Sequence, residues 1–194
     1  MKRRFRISYW LVVFFSLGLL MVPASWVGAQ VSAGQKIFVC IPSIPGESVD
    51  PDDPNCIVAT SYSDGVSITG SAVGGVAGRP EFSPIQITKS LDKASPLLRQ
   101  YAAEGRHISN VTIDIFRPGV PSPTSAAAPR DFLVLKVVLT QVLVTGVSMT
   151  INQSDLPKEV VNFDFARIQM TYHQQNADGT PVIFLYNLAT GRGN

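Results

Sequence analysis

Histidine and cysteine are scarce in this chain of 194 residues, with two of each. A structural zinc site wants four ligands drawn mostly from these two residue types, so a zinc module is not expected. Charged side chains make up only 15% of the sequence, sixteen basic against fourteen acidic. There is no basic stripe interleaved with aromatics, so nucleic acid is not an expected partner. The chain also lacks a G-x-S-x-G elbow, because Gly65–Gly70 reads GVSITG with the wrong spacing. The run GSAVGGVAG at Gly70–Gly78 has neither the buried strand before it nor the helix after it that a phosphate-binding loop requires. It reads instead as a connection between strands, within a glycine-rich segment from Asp64 to Arg79. Neither His107 nor His173 is accompanied by a serine or cysteine motif, so ordinary surface roles are expected for both. His107 is placed at the end of a helical region, where a cation suits the dipole. No catalytic residue, cofactor or metal site is assigned. The acidic loop with Glu47, Asp50, Asp52 and Asp53 offers hard oxygen ligands, but it lacks the glycine and distal glutamate of a calcium loop. Two prolines interrupt it, and a solvated loop is expected. The tripeptides starting at Asn110 and Asn152 fit a glycosylation pattern that is short enough to arise by chance.

Helix signals are almost as scarce. One stretch, Lys89 to Ile108, carries them. Ser95 stands where an N-cap belongs, Pro96 follows at a position that needs no N–H, and Leu97, Leu98, Tyr101 and Ala102 form an apolar stripe at helical spacing. Gly105 closes the segment as a left-handed C-cap. Everything else reads as strand and turn, which fits fifteen glycines and fourteen prolines. Ile37, Val39 and Ile41 alternate, and so do the residues of Cys56 to Tyr62. Ile85 and Ile87 mark a short strand before the helix, and Val111, Ile113 and Ile115 a half-buried one after it. Pro118 to Pro129 is a loop, since prolines cannot hold a ladder. Phe132 to Ile151 is long and apolar on both faces, with a bulge or break expected at Gly146. In the next strand Val161, Phe163 and Phe165 share one parity and Ile168, Met170 and Tyr172 the other, so a second bulge is expected near Ala166. Asp178-Gly179 turns the chain into a last strand through Val182, Phe184 and Tyr186. The expected fold is mainly β: an antiparallel β-barrel of two sheets with one short α-helix packed against it.

The first thirty residues form a separate pattern. Lys2, Arg3, Arg4 and Arg6 make a basic start, Tyr9 to Val22 an apolar run, Pro23 a break, and Val27-Gly28-Ala29 a set of small residues suited to cleavage. The expected organisation is a secretory signal over 1–29 and a single domain over 30–194. The apolar run is shorter than the roughly twenty residues of a spanning helix, so an uncleaved membrane anchor is the less favoured alternative, and no stable membrane insertion is expected once the signal is removed. Four basic residues lie in that leader, which leaves twelve basic and fourteen acidic side chains, a net charge of −2, on the body. The calculated pI of about 8.6 therefore misdescribes the exported protein. About 165 residues remain, enough for one domain with its own core.

Cys40 lies near the end of one apolar run and Cys56 starts the next, with a turn-rich loop from Pro42 to Asn55 between them. If the two runs pair as a hairpin, the cysteines flank its loop. An oxidising compartment then favours a disulfide, the alternative being two buried free thiols.

Three segments in order, FVCIPSIPGES (Phe38–Ser48), ITKSLDKASPLLRQYAAEGRHI (Ile87–Ile108) and VNFDFARIQMTYHQQNADGT (Val161–Thr180), resemble Hcp, the tube protein of the type VI secretion system. The resemblance runs from about Lys36 to about Leu188. It implies a non-enzymatic structural protein whose six-membered rings stack into a hollow tube driven by a contracting sheath, with other secretion components and small effectors as partners. The 64–79 loop matches in position the extended loop such proteins use in stacking. The leader departs from the pattern, since tube-forming members assemble in the cytoplasm. It leaves open an exported ring, or a monomeric binding module acting in the periplasm or outside the cell. An enzyme on this barrel is the least favoured reading, for want of any paired nucleophile and base.

Overall fold

The computed structural model describes residues 34–69, 78–119, 131–153, 156–173 and 179–193. The leader over 1–29, most of the glycine-rich run, most of the proline loop after Arg117, and Asp178 of the expected turn lie outside the described residues. In chain order the elements are β1 (Lys36–Cys40), β2 (Ile57–Ile68), β3 (Pro80–Ser90), α1 (Ser95–Glu104), β4 (His107–Arg117), β5 (Phe132–Thr150), β6 (Lys158–Tyr172), β7 (Val182–Asn187) and β8 (Arg192–Gly193). Every pairing is antiparallel. The ladders run β3-β2-β1-β4-β5-β6, and β6 pairs back onto β3. That last pairing, Ile85↔Phe163 through Ser90↔Lys158, closes a six-stranded barrel. Farther along β6, Arg167 to Tyr172 pair with β7 instead, and β7–β8 hang from the barrel as an appended ribbon.

The alternating β-branched and aromatic residues explain both the strands and the core. Val39, Ile57, Ile85, Ile87, Val111, Ile113, Val137, Leu139, Val142, Val161 and Phe163 point inward and form one contiguous cluster. Leu98 and Tyr101 of α1 join it, and Leu97 and Ala102 pack at its margin, so the helical stripe faces the barrel as its spacing implies. Gly105 ends α1 at φ 62°. Its N–H and that of Arg106 donate to the carbonyls of Ala102 and Tyr101, a Schellman arrangement that satisfies the last turn. The Arg106 guanidinium lies 4.2 Å over the Tyr101 ring.

Six expectations change on folding. Ser95 is not the N-cap: Ala94 is, and Ser95 opens the helix itself. The Ala94 N–H donates to Asp92 Oδ1 at 2.9 Å, and the Ser95 hydroxyl accepts from the buried Lys89 at 2.8 Å. His107 does not end the helix; past the Gly105 cap it is already the first residue of β4. The glycine-rich connection starts later than Asp64. β2 continues through Val66 to Ile68 and pairs with Pro80–Ser83, so a two-stranded arm extends the sheet before the glycines begin. The strand before the helix is correspondingly eleven residues long.

The bulge expected at Ala166 is absent. Register is unbroken from Thr140↔Arg167 to Val142↔Phe165. The inward parity nevertheless switches in three neighbouring strands together, between Ile108 and Val111, Leu139 and Val142, and Phe165 and Ile168. Gln141, in the middle strand, takes φ 53°. One left-handed residue there turns the face of the sheet without an inserted residue, and its partners turn with it. At Gly146 the register does shift, between Val144 and Gly146, as a bulge requires. Finally, Val182–Asn187 is not the last strand, since the short β8 follows it.

The loop from Pro42 to Asn55 crosses the outside of the barrel and lies tight on the start of β2. Gly46 N–H donates to Asn55 O at 2.7 Å, and Ser48 N–H to Cys56 O at 3.0 Å. A Cβ on Gly46 would sit 2.4 Å from the Cys56 carbonyl oxygen and 2.5 Å from Ile57 Cα. Backbone on both sides cannot yield as a flexible side chain would. Gly46→Ala should therefore destabilise the domain by about 1–3 kcal/mol, read as a lower denaturation midpoint with an unchanged m-value.

Candidate functional site

Three features outside the core carry chemistry or contacts. The first is the surface under the 42–55 loop. Phe38 and Cys40 of β1, Thr112 and Asp114 of β4, and Lys136 of β5 share the outer face of the barrel, as their register pairs Phe38↔Asp114, Cys40↔Thr112 and Asp114↔Lys136 require. Phe38 is 5% exposed although it points away from the core, because the loop and the edge of the Phe116 ring at 5.8 Å cover it. Cys40 and Cys56 are joined here, with an S–S distance of 2.04 Å and Cα atoms 4.5 Å apart. β1 and β2 pair as a hairpin with Val39↔Ile57, which brings the two cysteines that flank its loop together. A pocket of about 250 Å³ opens onto the disulfide between Pro42, Pro54, Asn110 and Thr112.

The acidic loop is not simply solvated. Asp50 pairs with Lys36 at 3.2 Å, and Glu47 Oε1 accepts from the Lys93 N–H at 3.0 Å. Asp53 is only 7% exposed and faces Asp114, itself 5% exposed. Burial first, and then the neighbouring Asp114 charge, push the Asp53 carboxyl up to about 6 against the partial opposition of Lys136. Asp53 Oδ1 stands 3.5 Å from Cys40 Sγ. Cys40, Cys56 and Asp53 bring their ligand atoms within 4.8 Å of one another. Sulfurs bound to each other are not thiolates, so this trio does not form a metal set in the oxidised chain.

The second feature ties the helix to the barrel. Lys89 is fully buried at the end of β3. Its ammonium donates to Glu159 Oε2 at 3.0 Å, Ser95 Oγ at 2.8 Å and the Ser90 carbonyl at 2.9 Å, and lies 2.8 Å from Asp92 Oδ1. Glu159, at the start of β6 and equally buried, takes Arg99 of α1 on its other oxygen at 2.9 Å. Burial alone would raise the Glu159 carboxyl. The Ser95 hydroxyl, Lys89 and Arg99 outweigh it and hold the group below its ordinary value.

The third feature is exposed apolar surface on strands. Val66 and Ile68 are exposed on the β2–β3 arm, and Val182, Ile183 and Phe184 on β7, beside Tyr172 of β6. β8 pairs only with Tyr186 and Asn187, so among the described residues β7 keeps an open edge from Val182 to Leu185. The base of the arm is tied down: Arg79 donates to the Leu188 carbonyl, and Phe82 packs on Phe165 and Tyr186. His107 lines a shallow pocket with Ser109, Gln141 and Ala166 where the sheet turns its face. His173 N–H donates to the Val134 carbonyl at 2.8 Å. No helix among the described residues is long and apolar enough to cross a membrane.

Sequence reasoning missed Lys89, Glu159, Asp53 and Asp114 as buried charges. The available signals are Lys89 at the parity of Ile85 and Ile87, and Glu159 at the parity of Val161, Phe163 and Phe165.

Comparison with known proteins places this architecture. The family described as "Type VI secretion system effector, Hcp" matches residues 38–172. No curated protein matches the chain. Among solved structures, Hcp1 from Salmonella typhimurium is 23% identical, with 82% of this chain and 99% of that one covered at a TM-score of 0.66. A type VI secretion system effector from Yersinia pestis is 25% identical, with 78% and 98% covered and a TM-score of 0.61. A further type six secretion system protein is 19% identical, with 83% and 100% covered and a TM-score of 0.71. The family match spans most of the barrel, from the first strand to the end of β6, and the structural matches span those proteins almost end to end. This chain belongs to the Hcp family of type VI secretion proteins.

Proposed function

We propose that this protein is a structural component that assembles into six-membered rings, stacking into a tube, and performs no catalysis. The family match over residues 38–172 carries the reading. The open β7 edge and the exposed Val182, Ile183 and Phe184 support it, because an apolar strand edge left open among the described residues wants a neighbour. The β2–β3 arm, held at its base and exposed along its length, suits contact with the next ring. Small effectors inside the ring and other secretion components are the partners this role implies.

A second reading rests on the leader and the two cysteines. Lys2 to Ala29 has the order of a secretory signal, and the bonded Cys40 and Cys56 suit an oxidising compartment. On this reading the mature protein, beginning at Gln30, acts in the periplasm or outside the cell, as a ring or as a single-chain binding module.

Native mass measured on the mature protein tests ring formation. A six-chain species is the expected result and supports ring formation. A monomer at micromolar concentration would leave the exported binding module as the function. Sequencing the N-terminus tests the leader independently: Gln30 as first residue is expected, and an intact Met1 would refute cleavage.

A further inference from the structure

The groups around the disulfide are placed for proton transfer. Asp53 Oδ1 faces Cys40 Sγ at 3.5 Å. Asp53 Oδ2 and Asp114 Oδ1 are both buried without a hydrogen-bond donor. Asp114 is close enough for its charge to help raise the Asp53 carboxyl, after burial. Asp114 Oδ2 is held at 3.1 Å by Lys136 Nζ, whose side chain reaches solvent. A continuous path of titratable groups thus runs from the sulfur to water.

The two sulfurs are unequal. Cys56 is 6% exposed, and its sulfur lies 3.7 Å from the Pro54 carbonyl. A carbonyl only accepts, so a reduced Cys56 would keep its proton there. Both cysteines line the pocket, but Cys40 is the more exposed and faces a carboxylate instead.

We propose that Asp53 is the proton acceptor and donor for Cys40 in thiol–disulfide exchange at this site, with an organic disulfide entering the pocket as co-reactant. In closure, Asp53 takes the Cys40 proton and the Cys40 thiolate attacks one sulfur of the incoming disulfide. A mixed disulfide forms and the first thiolate leaves. Cys56, losing its proton to water, then attacks Cys40 Sγ and expels the second thiolate. Two protein thiols are oxidised, one external disulfide is reduced by the same two electrons, and the protons end on the two released thiols. Reduction retraces these steps, with Asp53 returning its proton to the departing Cys40 sulfur.

The groups facing Asp53 are Cys40 on β1, Asp114 on β4, Lys136 on β5 and Asp50 from its own loop. They place the change from acid to base near pH 6.

The test follows closure of the reduced full-length chain by oxidised glutathione, trapped by alkylation and read by mass from pH 4.5 to 8. The expected rate profile has an inflection near pH 6, apart from the titration of the thiol. Asp53→Asn should lose that inflection and close about tenfold or more slowly at pH 7. Asp114→Asn removes the like charge that helps raise Asp53, so it should move the inflection to lower pH. If Asp53 acted only as a fixed charge, its removal would lower the pKa of the thiol and speed closure. A faster Asp53→Asn overturns the proposal, and so does an unchanged profile. Should Asp53→Asn fail to fold, Asp114→Asn decides alone, and an inflection that stays in place overturns it. None of these outcomes depends on whether rings form.

Discussion

Glu159→Gln lowers the stability of the domain by about 3–5 kcal/mol, the usual cost of leaving a buried charge without its partner. Lys89 is fully buried and Glu159 is its carboxylate across the barrel seam, where β3 meets β6. Asp92 remains at 2.8 Å in the variant, which favours the lower end of that range. Chemical denaturation reads the loss as a shift in midpoint. An apolar replacement of the whole pair, Lys89→Met with Glu159→Leu, should recover much of it, since the desolvation cost disappears along with the attraction. A double variant no more stable than Glu159→Gln would mean the pair is a net source of stability relative to its apolar replacement. Loss of the pair also loosens α1, because Arg99 and Ser95 meet the same carboxylate. Hydrogen exchange should then quicken in the helix before it quickens in β4 or β5.

The same carboxyl sets the acid limit of the fold. Glu159 is held below its ordinary value in the folded chain. Its stabilising contribution is therefore complete above about pH 4.5, its unfolded value, and is lost as pH falls through the lower folded value. Asp53 works in the opposite direction. Its folded value is raised to about 6, so the folded state binds that proton more readily and gains stability as pH falls from about 7 toward 4. The thermal midpoint should rise slightly on mild acidification and then drop steeply. Asp53→Asn should remove the rise and keep the drop.

Cys40→Ser with Cys56→Ser lowers stability by about 3 kcal/mol relative to the oxidised chain in the chain-entropy account of a loop of this length. The bridge spans sixteen positions and closes the Pro42–Asn55 loop. The loop lies on the outer face and the barrel closes without it, so β1 through β6 should persist. What the variant loses first is the cover over Phe38 and the burial of Asp53. Raised dye binding to the newly exposed aromatic surface, with far-UV circular dichroism unchanged, is the expected signature. Collapse of the β signal itself would show that the hairpin depends on its bridge. Reduction of the unsubstituted chain should reproduce the effect, which separates loss of the bond from strain at the serines.

Much of this architecture is legible in local pattern. Alternation of Ile37 with Val39, and of Val111 with Ile113 and Ile115, identifies strands because side chains on a pleat alternate. Gly105 marks the helix end because it takes the left-handed conformation without strain. The three segments shared with Hcp proteins placed the family. What the sequence by itself determined is thus the set of elements and their inward faces, each a property of a few neighbouring residues.

Only the tertiary structure decided how those elements close and which charges they trap. Ile85 and Phe163 are far apart in sequence, and nothing local announces that β3 pairs with β6. Once they pair, Lys89 and Glu159 are carried inside together, and Ser95 gives up the capping role its position suggests to serve them. Likewise Asp53 reads as part of a solvated acidic loop until the loop lies on β4 and meets Asp114. Gln141 takes a left-handed turn because three paired strands must change face at one level. Burial of a charge is a property of the assembled surface around it. That surface comes from long-range pairing, which the order of residues along one strand does not record.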